Sequence, residues 1–138
     1  MTRSRLVLLT ALALIIGLPS VVVAITPAEN DANFSVVRLV VGTGVEKREP
    51  VGAAETFPAG TERVLAFLEV RDIAADTDVT FVWLFGGKEV HRFSMPLRKG
   101  PFWRTWSECL LHGRAGEWKV ELQGADGKAA ATAIFTVK

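Results

Sequence analysis

Glu117-Trp118-Lys119-Val120-Glu121-Leu122-Gln123 alternates without a break. Trp118, Val120 and Leu122 fall on one side, and Glu117, Lys119, Glu121 and Gln123 on the other. Side chains of an extended strand project to opposite faces in turn, so a period of two marks a half-buried β-strand. Ala125-Asp126-Gly127 then supplies a hairpin turn. Ala129 to Val137 returns with Ala131, Ala133, Phe135 and Val137 on the core face.

The same period recurs upstream. Phe34 to Val41 is β-branched and reads as a strand. Val64 to Arg71 follows, with Val64, Ala66, Leu68 and Val70 sharing a face. Val79 to Phe85 places Val79, Phe81, Trp83 and Phe85 together. Gly86-Gly87-Lys88 is a hairpin turn, because glycine reaches the positive φ that tight hairpins demand. Glu89 to Leu97 returns, with Pro96 pointing to a sheet edge. Phe102 to Leu111 completes the set of seven. The connection from Gly52 to Thr61 is either a strand crossing between sheets or a functional loop.

Seven short strands, two glycine hairpins and no amphipathic helix predict an all-β fold. Each apolar strand face needs a second sheet to cover it, so the expected architecture is an immunoglobulin-like antiparallel β-sandwich. Alternation places Trp83 and Trp118 in its core, expected in opposite sheets. The chain lacks a Cys-Trp-Cys framework, which sets it apart from true immunoglobulin domains.

The first residues carry a different signal. Arg3 and Arg5 precede an uncharged run from Leu6 to Leu18, Pro19-Ser20 interrupts it, and Val22-Val23-Ala24 offers small side chains for a signal peptidase. This is the pattern of a secretory signal. Leu6 to Ile25 is also just long enough to span a bilayer, so retention as a membrane anchor is the rival reading. The expected organisation is a signal peptide or anchor over 1–24, a polar linker over 25–33 and a β-sandwich domain over 34–138. On either reading the domain is exported, periplasmic or extracellular, and meets a membrane only through its N-terminal segment.

Composition narrows the function classes. The chain has 138 residues, with 16 basic and 15 acidic groups. Without Arg3 and Arg5 it is close to neutral, which leaves no clustered basic footprint for nucleic acid. Cys109 is the only cysteine, so an intramolecular disulfide is impossible and the core must hold the fold alone. One cysteine and two histidines, His91 and His112, lack metal-ligand spacing, and no cofactor is implied. No Gly-x-Ser-x-Gly, His-Glu-x-x-His or phosphate-cradling loop occurs, and nothing in the sequence brings Ser107 or Glu108 to a histidine. An enzyme is not expected.

The densest local signal is Phe102-Trp103-Arg104-Thr105-Trp106-Ser107. Isolated buried charges are costly, so Arg104 and Glu108 put their face outward and Trp103 and Cys109 inward. Trp106 then shares the surface with Arg104, and a guanidinium stacked on that indole would form a rigid platform. Glu46-Lys47-Arg48-Glu49-Pro50 follows the first strand, and Glu49 is the expected ion-pair partner of Arg104. The candidate binding residues are Arg48, Glu49, Arg104, Trp106 and Ser107.

These residues also carry a resemblance. Arg38 with Val45 and Arg48-Glu49-Pro50, then Phe67, Trp83, Gly87-Lys88, Trp103-Arg104-Thr105-Trp106-Ser107, Gly116-Glu117-Trp118-Lys119-Val120, Asp126-Gly127 and Phe135 resemble the bacterial family catalogued as domain of unknown function 2914. The likeness covers roughly residues 34–137, and the Trp-Arg-Thr-Trp-Ser run is its most specific part. The family's pattern often has a histidine two residues before the tryptophan equivalent to Trp83. Here that residue is Phe81, so no role attaches to it. The resemblance implies a domain outside the cytoplasmic membrane and leaves its activity open. The functional expectation is a non-enzymatic interaction module of the cell envelope. Its partner would be an envelope protein or a glycan, the latter making it a carbohydrate-binding module that uses exposed Trp and Arg side chains.

Overall fold

The computed structural model describes residues 33–138. The expected signal or anchor over 1–24, and the linker up to residue 32, lie outside the described residues. Ten strands follow in order: β1 Ser35–Gly42, β2 Gly44–Glu46, β3 Glu49–Val51, β4 Thr56–Phe57, β5 Arg63–Ile73, β6 Thr77–Phe85, β7 Lys88–Leu97, β8 Gly100–Leu110, β9 Gly116–Gln123 and β10 Ala129–Val137. The seven strands expected from alternation are all present, and among the described residues there is no helix.

They form two stacked sheets, one ordered β1-β5-β8 and the other β4-β10-β9-β6-β7, with β2-β3 as a separate ribbon. Every pairing is antiparallel except the short β4–β10 contact. The Gly52–Thr61 connection therefore does cross between sheets. β4 pairs Thr56 and Phe57 with Thr136 and Val137, and buried Phe57 anchors the crossing before β5 returns to the first sheet.

The core lies between the sheets. Val64, Ala66, Leu68 and Val70 of β5 face Val79, Phe81 and Trp83 of β6, Trp118, Val120 and Leu122 of β9, and Phe135 and Val137 of β10. Phe135 is its aromatic hub. It stacks on Trp118 at 5.8 Å and meets Trp83 and Phe57 edge-on at 6.3 and 5.6 Å. Both tryptophans are fully buried as expected, but they do not sit in opposite sheets. β6 and β9 are neighbours in the five-stranded sheet, with Trp83 opposite Val120 and Phe85 opposite Trp118. Alternation reveals which way a side chain points, whereas sheet membership depends on long-range pairing.

β5 departs from the half-buried pattern. Leu65, Phe67 and Glu69, on its outward side, are as buried as its core-facing residues. A central strand covered on both faces reads as a nearly continuous apolar run, which Val64 to Val70 is. Its outer cover includes the β2-β3 ribbon, folded tightly back on β1: a Cβ on Gly42 would meet the Val51 carbonyl oxygen at 2.7 Å.

Candidate functional site

The register of the three-stranded sheet sets the outer face in rows. Arg38, Glu69 and Arg104 lie directly opposite one another across β1, β5 and β8. The next row is Val40, Phe67 and Trp106, and on the other side Arg71 faces Phe102. An ionic row thus runs between aromatic ones, and cross-strand neighbours at this spacing interact directly.

Glu69 is the centre of the ionic row and is only 5% exposed. Arg38 donates to its Oε2 from Nη2 at 2.8 Å and from Nε at 3.2 Å. Arg104 Nε approaches the same oxygen at 3.7 Å, and Arg71 Nη2 reaches Oε1 at 3.8 Å. A carboxylate buried this deeply requires cations and donors around it. Burial pulls the Arg38 pKa down, but hydrogen bonds and charge from Glu49 and Glu69 outweigh it and hold the guanidinium above its ordinary value.

The β2-β3 ribbon brings a second carboxylate. Glu49 Oε1 takes Arg104 Nη1 at 2.7 Å, and its Oε2 takes Arg38 Nη2 at 3.0 Å. The expected Glu49–Arg104 ion pair is therefore present, and Glu49 bridges both arginines. Arg48 contributes its backbone: its carbonyl accepts Arg104 Nη1 at 3.3 Å, while its side chain is exposed. The turn that delivers these groups is strained. Lys47 and Arg48 have φ of 51° and 61°, the same hand as Gly86 and Gly87 in the β6-β7 hairpin, but with side chains. Left-handed backbone costs a non-glycine residue roughly 1–2 kcal/mol.

Guanidinium–aromatic stacking is present, but not between the residues expected. Arg104 lies 4.8 Å over Phe102, and Arg38 lies 5.0 Å over Phe67. Trp106 stacks on Phe67 instead, with centroids 6.4 Å apart and planes within 8°. The carboxylates of Glu49 and Glu69 hold Arg104 in its own row, away from the Trp106 indole. Trp106 and Phe102 remain 38% and 40% exposed. Ser107 is buried on the opposite side of β8 and is not part of this face. It lines a crevice of about 400 Å³ between β7 and β8, together with His91, Phe93, Trp106 and Glu108.

Alternation alone did not bring out Glu69 or Phe67 as parts of this face. Glu69 carries a visible signal, since a carboxylate inside the apolar run Val64 to Val70 demands a buried cation. Arg38 stands on the neighbouring strand to supply it. Cys109 is buried, and burial pushes its thiol up to about 11, so at neutral pH it is protonated.

Residues 76–137 match the family model described as Protein of unknown function (DUF2914). The resemblance read from the sequence therefore holds over β6 to β10, including Trp83 and the Trp103–Ser107 run. β1, β3 and β5, which supply Arg38, Glu49 and Glu69, lie outside the matched stretch. No curated protein matches the chain. Among solved structures the chain is similar to part of a β-glucosidase from Listeria innocua in complex with glucose (9% identity over 75% of this chain and 15% of that one, TM-score 0.47). It is also similar to part of the Bifidobacterium adolescentis GH3 β-glucosidase (17% identity, 75% and 17% coverage, TM-score 0.47). The chain thus spans 15–17% of those enzymes' length, and at these values the likeness bears on neither activity nor ligand.

Proposed function

We propose that the domain is an exported, non-enzymatic binding module of the cell envelope that docks through the outer face of β1-β5-β8. The observation that carries this reading is the alternation of fixed ionic and aromatic rows on a face with exposed Trp106 and Phe102. Tryptophan and arginine dominate the energetics of protein interfaces, and side chains already held in place lose little freedom on docking. The ion pairs act here as fixtures. Exposed pairs contribute only about 0–1 kcal/mol to stability, whereas a multiply bonded guanidinium gains a defined direction. Export rests on the N-terminal sequence pattern. The non-enzymatic part of the reading rests on the sequence, which carries no hydrolase, zinc-protease or phosphate-binding motif.

The test is a pull-down from envelope extract with the wild-type chain and with Trp106→Ala and Arg104→Ala separately. Each substitution should lower recovery of the partner about tenfold or more while the far-ultraviolet circular dichroism is unchanged. Full recovery with both folded variants would remove this face as the site. A carbohydrate partner is the second reading, favoured by one feature: Phe67 holds the exposed Trp106 indole in a single orientation, as a sugar-stacking platform requires. On that reading, cell-wall glycans should shift the tryptophan fluorescence of the wild type and not of Trp106→Ala.

A further inference from the structure

The sandwich leaves a second, unrelated feature open on its side. β7 pairs only with β6, and β8 pairs only with β5, so each presents one strand edge without a strand partner. These two edges face each other across the seam between the sheets. They touch where Thr105 Oγ1 donates to Met95 Sδ at 2.8 Å. From there the seam opens into a cleft of about 530 Å³, lined by Val90 and His91 on one side and by Cys109 and Leu110 on the other.

The charge of this cleft is one-sided. Arg63 and Arg114 line it, against the single carboxylate of Glu108. Arg63 lies 3.6 Å from Glu108, but both are more than half exposed, so that pair is weak and leaves the arginine available. Arg114 is close enough for its charge to act on the Cys109 thiol, which burial nevertheless keeps protonated. The cleft floor is therefore neutral and partly apolar, and its rim is cationic.

We propose that this seam binds an extended peptide bearing carboxylates, added as a strand along the free edge of β7 with its acidic side chains or C-terminus toward Arg63 and Arg114. Unpaired N–H and C=O groups of an edge strand are a ready template for a further strand. Backbone hydrogen bonds supply the affinity in this mode, and flanking charge selects the peptide and its register. This site borders one end of the outer face of β1-β5-β8 through Arg63, Glu108 and Leu110, but does not include its Phe102, Arg104 and Trp106.

The probe is a soluble hexapeptide, Thr-Val-Thr-Val-Asp-Glu with a free C-terminus, set against Thr-Val-Thr-Val-Lys-Lys amide. Binding to the full chain is followed by amide NMR shifts and hydrogen exchange. The acidic peptide should slow exchange at β7 amides that point away from β6, and the basic amide should bind at least about tenfold more weakly. Arg63→Glu with Arg114→Glu should weaken the acidic peptide about tenfold. If that variant misfolds, Arg63→Gln alone should weaken it by a smaller factor. Equal binding of both peptides, protection confined to other strands, or no binding of the acidic peptide at millimolar concentration would each overturn the proposal.

Discussion

Glu69 shows how one residue organises a face. Its carboxylate is nearly sealed from water, and three arginines converge on it. Removing it would leave Arg38 and Arg104 facing each other across a desolvated gap. Glu49 engages the same two arginines but is 47% exposed, so water replaces much of what it provides. Glu69→Ala should therefore cost about 2–4 kcal/mol of folding stability. Glu49→Ala should cost under about 1 kcal/mol. Urea denaturation of both variants checks the contrast, and equal losses would mean that the row is held together otherwise. At this scale the sequence was legible in part. Glu49 opposite Arg104 could be anticipated from charge and chain order. The stacking of Trp106 could not, because the Phe67 that takes the indole and the Glu69 that draws Arg104 away from it are brought alongside only by the register of β5.

At the scale of elements, period-two alternation stands out most clearly in β6 and β9, because each buries one face against the other sheet, and the hairpin turns and β-branched runs located the rest of the seven long strands. β2, β3 and β4 escaped it for a physical reason. They are two or three residues long, too short to show any period; β2 and β3 pair only with each other across a tight turn, and β4 pairs with the distant β10. The β2-β3 ribbon is the element on which the candidate site most depends. Its turn holds Lys47 and Arg48 at positive φ, where hairpins usually place Asn or Gly. Arg48→Gly should relieve that strain and stabilise the domain by about 1 kcal/mol. Arg104 is bonded by the backbone carbonyl at this position, so its pairing with Glu49 should persist. A thermal melt of the variant checks this, and a lowered midpoint would show that the Arg48 side chain contributes more than its strain removes.

At the scale of the whole molecule, the two sheets divide the labour. The five-stranded sheet carries Trp83, Trp118 and Phe135 and supplies most of the aromatic core. The three-stranded sheet is covered on its inner side by that core. Its outer side is left to display Phe102, Arg104 and Trp106 on a rigid backing. Sandwich architecture and core membership were readable in the sequence, since they follow from where apolar side chains must go. The split of Trp83 and Trp118 between sheets was misread, because it turns on pairings that alternation does not encode. The most direct test of the docking face is site-specific photo-crosslinking of the full chain in intact envelopes. The crosslinker is placed at Phe102, beside Arg104, or at Ile134, exposed on the five-stranded sheet. The account predicts a discrete protein or glycan adduct from position 102 and none from position 134. Equal adducts from both positions, or adducts from position 134 alone, would contradict it.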